Sequence, residues 1–319
     1  SNHNFSKGFF YVADGTFNFY DTEKKTAYQD CYASLNAGKT LGIGNYDSAN
    51  IIHSNGKFYL LVGTSTSNRD HFYIVDAKTL YYENSAVVGA NLSGLTILNE
   101  QYGLVTGDGI RRIDLKSLNN VRIKNERLLC FYNSIIYNGK VLSNDTYKDE
   151  SKVKYYDVNE LIAAKEGEAP AVTELDIIQK QKINFVLAKD GNVYTLESAD
   201  NGCNIVKIKN DFTLEKVFAN FQPAKGPYHS SPTIGMVASE TENIIYLVST
   251  DGAIYKYILG DSDSLKAPFI AAESGVSITA PLQLNQQSGE LYVTYTEELK
   301  DESKIVVYSK DGKVLHTVD

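Results

Sequence analysis

The sequence is poor in several residue types, and each shortage narrows what the protein can be. Its 319 residues include no tryptophan, one methionine, six prolines and three cysteines. Cys31, Cys130 and Cys203 are too few and too widely spaced for a disulfide framework or a zinc site. We therefore expect the cysteines to act as small buried apolar residues.

Positive charge and long apolar runs are also scarce. Lysine and arginine total 31 against 39 aspartates and glutamates, so the formal net charge is −8. Such a chain lacks the basic surface that binds phosphate backbones, and we predict no nucleic-acid partner. No run approaches the roughly 18 continuous apolar residues of a membrane-spanning helix, so we predict no transmembrane segment.

Aromatic residues other than tryptophan are abundant. The chain has 23 tyrosines and 13 phenylalanines, and 43% of its residues are hydrophobic. That hydrophobic fraction is too high for a disordered chain. Because tyrosine and phenylalanine favour pleated, half-buried surfaces, the composition indicates a folded protein rich in β-strands.

A short pattern recurs seven times: turn residues, commonly Gly or Asn, lead into an apolar segment that carries Tyr or Val. The seven anchor residues are Tyr11, Tyr59, Tyr102, Val141, Tyr194, Tyr246 and Tyr292. Their mean spacing is about 47 residues, close to the length of a propeller blade. A second strand follows most anchors and often ends in Asp, as at Asp76 and Asp114, where the carboxylate can accept from backbone N–H groups just ahead.

Four short strands per repeat predict the blades of a β-propeller, which must pack in a ring because one blade cannot bury both its faces. We predict an all-β, seven-bladed β-propeller that forms a single domain over residues 1–319. A small helical insertion is predicted near 159–166, between an Asn start and a Gly stop.

The first repeat is shorter than the others. The gap from the last anchor through the chain ends to the first is about one strand and its turn too short. This predicts that the first blade lacks its innermost strand and is either three-stranded or completed by residues 1–7. We expect the final strand, over 313–318, near the first blade.

The strand–Asp units, and above all the C-terminal segments 282–293 and 305–314, resemble YncE-like seven-bladed propellers. More narrowly, they resemble the surface-layer-type propeller lipoproteins of Bacteroidetes, over nearly the whole chain. The resemblance implies export and an outer-membrane lipoprotein facing the cell surface or periplasm, anchored through a cysteine that this sequence would lack. BtuG-like relatives capture corrinoids beside an outer-membrane transporter. The resemblance thus implies a small-molecule nutrient or a transporter as partner.

Motifs for catalysis are scarce. The sequence contains neither His-Glu-x-x-His nor Gly-x-Ser-x-Gly. The acidic segment 260–264 lacks the glycine and the distal carboxylate of a calcium loop. We predict no catalytic residue, cofactor or metal site, and expect a non-catalytic binding protein. The alternatives are a lyase-type or lactonase-type propeller enzyme that uses His53 or His229 with a carboxylate or metal on the axis, and a protein–protein scaffold.

The expected binding face follows from propeller geometry. The loops between second and third strands, and those between blades, converge at one end of the axis. Exposed tyrosine offers such a face a flat apolar ring with a polar tip. Phe17, Asp70 and Glu297 are expected on these loops. The predicted ligand-binding residues on the same loops are Tyr46, Asp47, Asn68, Arg69, Tyr147, Lys148, Tyr228 and His229.

Overall fold

The structure, a computed structural model, describes most of the chain. The described residues are 5–13, 16–37, 49–63, 70–89, 94–127, 131–145, 150–168, 170–180, 183–200, 202–222, 235–278, 280–297, 299–300 and 302–318. Their regular structure is mostly β, with two small helices. Within these ranges no helix is long and apolar enough to cross a membrane.

Three antiparallel sheets form the N-terminal part. Sheet 1 contains β1 (Gly8–Ala13), β2 (Thr16–Asp21) and β3 (Thr26–Tyr28). Sheet 2 contains β4 (Ala49–Ser54), β5 (Lys57–Gly63), β6 (Asp70–Asp76) and β7 (Tyr82–Gly89). Sheet 3 contains β8 (Gly94–Ile97), β9 (Tyr102–Thr106), β10 (Asp108–Asp114) and β11 (Asn120–Arg127).

Four further sheets follow. Sheet 4 contains β12 (Phe131–Tyr137), β13 (Lys140–Asp145), β14 (Ser151–Asp157) and β15 (Thr173–Gln179). Sheet 5 contains β16 (Val186–Leu187), β17 (Val193–Ala199), β18 (Gly202–Ile208) and β19 (Leu214–Phe221). Sheet 6 contains β20 (Met236–Ala238), β21 (Ile244–Val248) and β22 (Ile254–Ile258). Sheet 7 contains β23 (Val276–Ile278), β24 (Gln283–Leu284), β25 (Leu291–Glu297), β26 (Ser303–Tyr308) and β27 (Val314–Val318).

The seven sheets are the blades of a β-propeller, which confirms the fold predicted from the repeat. In sheets 2 to 7 the anchor residue lies on the strand that follows the first hairpin turn. Five of these six anchor side chains are buried in the core. They are Tyr59, Val141, Tyr194, Tyr246 and Tyr292. In sheet 1 the anchor Tyr11 lies on the first strand, and the described part of that sheet has three strands, as predicted. Residues 5–7 form a short 3₁₀ turn there, not a strand.

The predicted helical insertion is α2 (Val158–Ala163). Its N-cap is Asp157, whose carboxylate accepts a hydrogen bond from the backbone N–H of Glu160 at 3.0 Å. Helix α1 (Cys31–Leu35) was not predicted; it is only five residues long, and Asp30 at its N-cap makes no side-chain capping bond. Burial of Cys31 and Tyr32 stabilises it instead.

The Asp residues that end several strands form the predicted tight turns. One carboxylate oxygen of Asp76 accepts from the backbone N–H groups of Lys78 and Thr79, each at 2.9 Å. Asp114 accepts in the same way from Lys116 and Ser117, also at 2.9 Å. These bonds stabilise the charged carboxylates, and they hold the pKa of both Asp76 and Asp114 below the usual value.

The chain divides into two compact units. The first unit comprises Ser1–Tyr132 and Tyr156–Thr173, and the second comprises Asn133–Tyr155 and Glu174–Asp319. In each unit the core lies between the faces of neighbouring sheets. The single-domain organisation and the position of the last strand near the first blade stay predictions.

The cysteines behave as expected where the structure describes them. Cys31 and Cys203 are buried and form no disulfide. Burial raises the pKa of the Cys31 thiol, which disfavours the reactive thiolate. Cys130 lies outside the described residues.

Candidate functional site

One end of the second unit is defined by the direction of its strands. Strands β13, β15, β17 and β19 run toward this end, and β14, β16, β18 and β20 run away from it. We call it the loop end. In sequence, the segments that connect the strands there contain Tyr147, Lys148, Tyr228 and His229, four of the predicted ligand-binding residues.

All eight predicted ligand-binding residues lie outside the described residues. Besides the four just named, Tyr46 and Asp47 fall in sequence between α1 and β4, and Asn68 and Arg69 fall in sequence between β5 and β6. Their role in binding therefore stays a prediction.

Two other residues expected on the binding loops are buried in strands. Phe17 is 2% exposed on β2, because its ring stacks on Phe10 at a centroid distance of 5.0 Å and packs edge-on against Phe58. Asp70 is 5% exposed at the start of β6. The expected loop positions of Phe17 and Asp70 were wrong, since the strands extend further than the sequence pattern indicated.

The remaining candidates lie at strand positions. Glu297 is the last residue of β25 and is half-buried, with its carboxylate 3.8 Å from the Lys300 ammonium. His53 lies on β4, the first strand of sheet 2, as expected. Its ring packs against Phe58 at 4.9 Å. An enzymatic role for His53 or His229 is an untested prediction.

Buried polar side chains lie where the strands of the second unit approach the loop end. Gln179, the last residue of β15, donates from Nε2 to Thr195 Oγ1 at 3.0 Å and to the Leu196 carbonyl at 2.9 Å. Its Oε1 accepts from Asn144 Nδ2 at 2.5 Å. The bonds to Thr195 and Leu196 join sheet 4 to sheet 5, whereas the bond from Asn144 lies within sheet 4. We call the side chains of Asn144, Gln179, Asn184 and Thr195 the polar layer.

Asn184 extends the polar layer to sheet 6. Its Nδ2 donates to the Met236 carbonyl and its Oδ1 accepts from the Met236 N–H, both at 2.9 Å. The Asn184 carbonyl also accepts from Thr195 Oγ1 at 3.0 Å. One side chain thus fixes the start of β20 against the segment that leads into β16.

The polar layer contains one unsatisfied acceptor. Asn144 is 2% exposed, and its Nδ2 donates both to Gln179 and to the Ile183 carbonyl, the latter at 3.2 Å. Its Oδ1 is buried and has no hydrogen-bond partner. An unpaired buried polar group costs about 1–3 kcal/mol, so this oxygen is poised to accept one more hydrogen bond.

Side chains at the opposite end of the second unit also form hydrogen bonds between sheets. Turn and strand-end side chains there donate directly to backbone carbonyls of the next sheet. Tyr137 donates to Gly191 at 2.8 Å, and Asn138 Nδ2 donates to Asn210 at 2.9 Å. Gln286 Nε2 donates to Ala238 at 3.1 Å. These bonds tie adjacent sheets together.

The polar layer is chemically neutral, because its hydrogen bonds are made by amides, a hydroxyl and backbone groups. Such a layer suits recognition of O–H and N–H groups through hydrogen bonds. In the described part of the chain, no group of three or more His, Cys, Asp or Glu side chains is placed to hold a metal ion.

The polar layer was not predicted from the sequence. No local signal marked it, because both strands, β13 (Lys140–Asp145) and β15 (Thr173–Gln179), also carry other polar residues. Asn144 and Gln179 lie 35 residues apart in the chain, so only the assembly of sheet 4 brings the two amides together.

Solved structures similar to this chain share its fold at low sequence identity. A functionally unknown protein from Desulfotomaculum acetoxidans DSM 771 is 12% identical, with a TM-score of 0.58, over 97% of this chain and 94% of that chain. Hsv2 from Kluyveromyces lactis is 10% identical, with a TM-score of 0.57, over 99% and 96% of the two chains. A prolyl endopeptidase is 11% identical, with a TM-score of 0.52, over 86% of this chain and 43% of that chain.

These likenesses show the fold alone. None of the curated proteins matches the sequence. One family matches nearly the whole chain, over residues 5–317, and its description is a domain of unknown function. The chain therefore belongs to the DUF5074 family.

Proposed function

We propose that this protein is a non-catalytic binding protein that captures a ligand at the loop end of its second unit. The observation that carries the proposal is the buried, unpaired Oδ1 of Asn144 within the polar layer. A ligand that binds there would satisfy this acceptor with an O–H or N–H donor. The neutral chemistry of the layer favours a ligand rich in hydroxyl or amide groups.

Preorganisation supports this function. The amides of the polar layer are fixed by hydrogen bonds to three sheets, so their ordering cost is incurred during folding. A ligand that binds beside them meets groups that are already oriented, which favours affinity. The unpaired Asn144 Oδ1 at the loop end also favours this end as the binding face.

The same proposal includes a class of ligand and a location for the protein. The resemblance to YncE-like and BtuG-like propellers supports an exported, outer-membrane lipoprotein that captures a corrinoid or another nutrient, or that contacts a transporter. In this proposal Tyr147, Lys148, Tyr228 and His229 contact the ligand from the connecting segments. Tyr46, Asp47, Asn68 and Arg69 are proposed as further ligand contacts.

A thermal-shift experiment tests the proposal with corrinoids, haem and glycans as probes. Because a ligand that binds only the native state stabilises it, a bound probe raises Tm with a saturable concentration dependence. Tyr147→Ala and Tyr228→Ala should reduce this rise. The matched control is Tyr81→Ala, because Tyr81 is a 55% exposed tyrosine in the turn between β6 and β7, outside the predicted binding segments.

Three results would contradict the proposal. If no probe raises Tm, the scaffold alternative gains support. If the three tyrosine variants respond to a bound probe as the wild-type protein does, binding lies elsewhere. A stoichiometric divalent metal in the purified protein would favour the enzyme alternative.

A further inference from the structure

Two arginines of sheet 3 are direct neighbours across a strand pair. Arg111 on β10 is the cross-strand partner of Arg122 on β11. Directly opposed side chains of an antiparallel pair lie about 5 Å apart at Cβ, where like charges destabilise the sheet. The arrangement therefore needs a counter-charge.

Among the described residues, one carboxylate lies within ion-pair distance of this arginine pair. Asp108 Oδ1 accepts from Arg122 Nη2 at 2.8 Å, whereas its Oδ2 is 3.9 Å from Arg111 Nη2, too far for a hydrogen bond. Arg111 donates instead to the neutral Oδ1 of Asn120, at 3.1 Å. The three charged groups therefore carry a net charge of +1.

Both guanidinium groups are partly removed from water. The Nε atoms of Arg111 and Arg122 are buried and have no hydrogen-bond partner. The Arg111 side chain is 23% exposed and the Arg122 side chain is 28% exposed. A small ion can therefore approach the outer nitrogens from solvent. Partial desolvation strengthens the attraction of these groups for an anion.

A strand irregularity holds the arginines in place. The register of β10 and β11 shifts between Asp108 and Arg111. Gly109 lies there at φ +77°, and a Cβ at this position would be 2.0 Å from the Lys124 carbonyl and 3.4 Å from Arg122 Nε. Only glycine allows this close approach, which brings Asp108 beside Arg122.

We propose that Arg111 and Arg122 form a binding site for a small oxyanion, a phosphate or a carboxylate, in the first unit. The anion supplies the second counter-charge and accepts from the Nη groups that Asp108 leaves unpaired. Arginine suits this role, because its planar fork of donors matches the oxygens of phosphate and carboxylate. This site does not depend on the proposed function at the loop end.

The test compares inorganic phosphate and sodium acetate with sodium chloride at equal ionic strength. In the wild-type protein, phosphate or acetate raises Tm above the chloride value, and the rise saturates at low concentration. The more effective anion identifies phosphate or carboxylate as the preferred class. Arg111→Gln should abolish the specific rise.

Lys209→Gln is the matched control. Lys209 and Lys207 flank Glu215 at 3.6 and 3.7 Å, so this is also a cluster of two cations and one carboxylate, and the variant removes the same charge as Arg111→Gln. The specific rise should persist in Lys209→Gln. Should Arg111→Gln not fold, Arg111→Lys keeps the charge but loses the fork, and it should weaken anion affinity on the order of 10-fold.

Equal responses of all variants, or no rise above chloride, would overturn the proposal. Equal responses are what exclusion of phosphate from the protein surface produces, without a site. The arginine pair and Asp108 would then be a structural ion cluster.

Discussion

The side chain of Asn184 pairs with the backbone of Met236 as a neighbouring strand would, through one donated and one accepted hydrogen bond of 2.9 Å each. This contact joins sheets 5 and 6 within the second unit. It also places the amide of Asn184 against Gly235, the residue that precedes β20. The first prediction concerns this glycine.

Gly235→Ala should destabilise the protein more than Gly252→Ala does. Both glycines have nearly the same backbone conformation, with φ +86° and φ +87°. A Cβ at Gly235 would lie 2.7 Å from Asn184 Oδ1, whereas a Cβ at Gly252 meets no atom within 4 Å. Gly252→Ala, the control, should therefore lower the free energy of unfolding by about 1 kcal/mol through backbone strain. Gly235→Ala should lower it by the same amount plus about 1–3 kcal/mol, because it also disturbs the hydrogen bonds of Asn184.

Urea unfolding of both variants measures the difference in the free energy of unfolding. Equal losses for the two variants would show that the Asn184–Met236 contact contributes little to stability.

Asp114→Asn should remove part of the acid sensitivity of the fold. Backbone N–H groups, chiefly that of Ser117, lower the pKa of Asp114 in the folded protein. The stability that this carboxylate contributes is present above its unfolded pKa of about 3.9 and is lost as pH falls through the lower folded value. The wild-type protein should therefore be the more stable above about pH 4, and the difference should vanish in stronger acid.

Thermal unfolding from neutral to acid pH measures this difference, with Asp200→Asn as the control at an exposed aspartate. The interpretation fails if the difference between wild type and Asp114→Asn is the same at every pH.

Tyr308→Phe should lower the free energy of unfolding by more than the loss of a single exposed hydroxyl group would. The hydroxyl groups of Tyr295 and Tyr308 are 2.8 Å apart in the core of sheet 7, and each side chain is less than a tenth exposed. Burial raises the pKa of Tyr295, so both groups stay neutral. Removal of one hydroxyl leaves the other unpaired and should cost about 1–3 kcal/mol.

The double variant Tyr295→Phe/Tyr308→Phe should recover part of this loss, because no unpaired hydroxyl remains. A double-mutant cycle by chemical unfolding measures the coupling. Additive losses from the two single variants would show that the pair contributes no coupling energy.

Much of the fold could be predicted from local sequence. The anchor residues identified the blades because a strand that is buried on both faces needs apolar residues at the same place in every repeat. The turns at Asp76 and Asp114 were predictable since their hydrogen bonds reach only two or three residues ahead. Helix α2 was predictable, although its cap is Asp157 and its last residue is Ala163.

The candidate sites were much less predictable. Phe17 and Asp70 follow turn residues in sequence, yet packing against other strands buries them. Arg111 and Arg122 gave no signal as a pair, because the register of their two strands depends on the irregularity at Gly109. The prediction of the eight ligand-binding residues depends on how loops connect the strands of the blades. The thermal-shift experiment tests that prediction.

The amino-acid sequence alone determined the repeat, the strands and the tight turns, since these depend on side-chain periodicity and on hydrogen bonds between near neighbours in the chain. Only the tertiary structure decided which polar groups meet. Asn144 reaches Gln179 across 35 residues, and Asn184 reaches Met236 across 52. The first bond forms only once sheet 4 is assembled, and the second only once sheets 5 and 6 pack together, so no local pattern in the sequence specifies them.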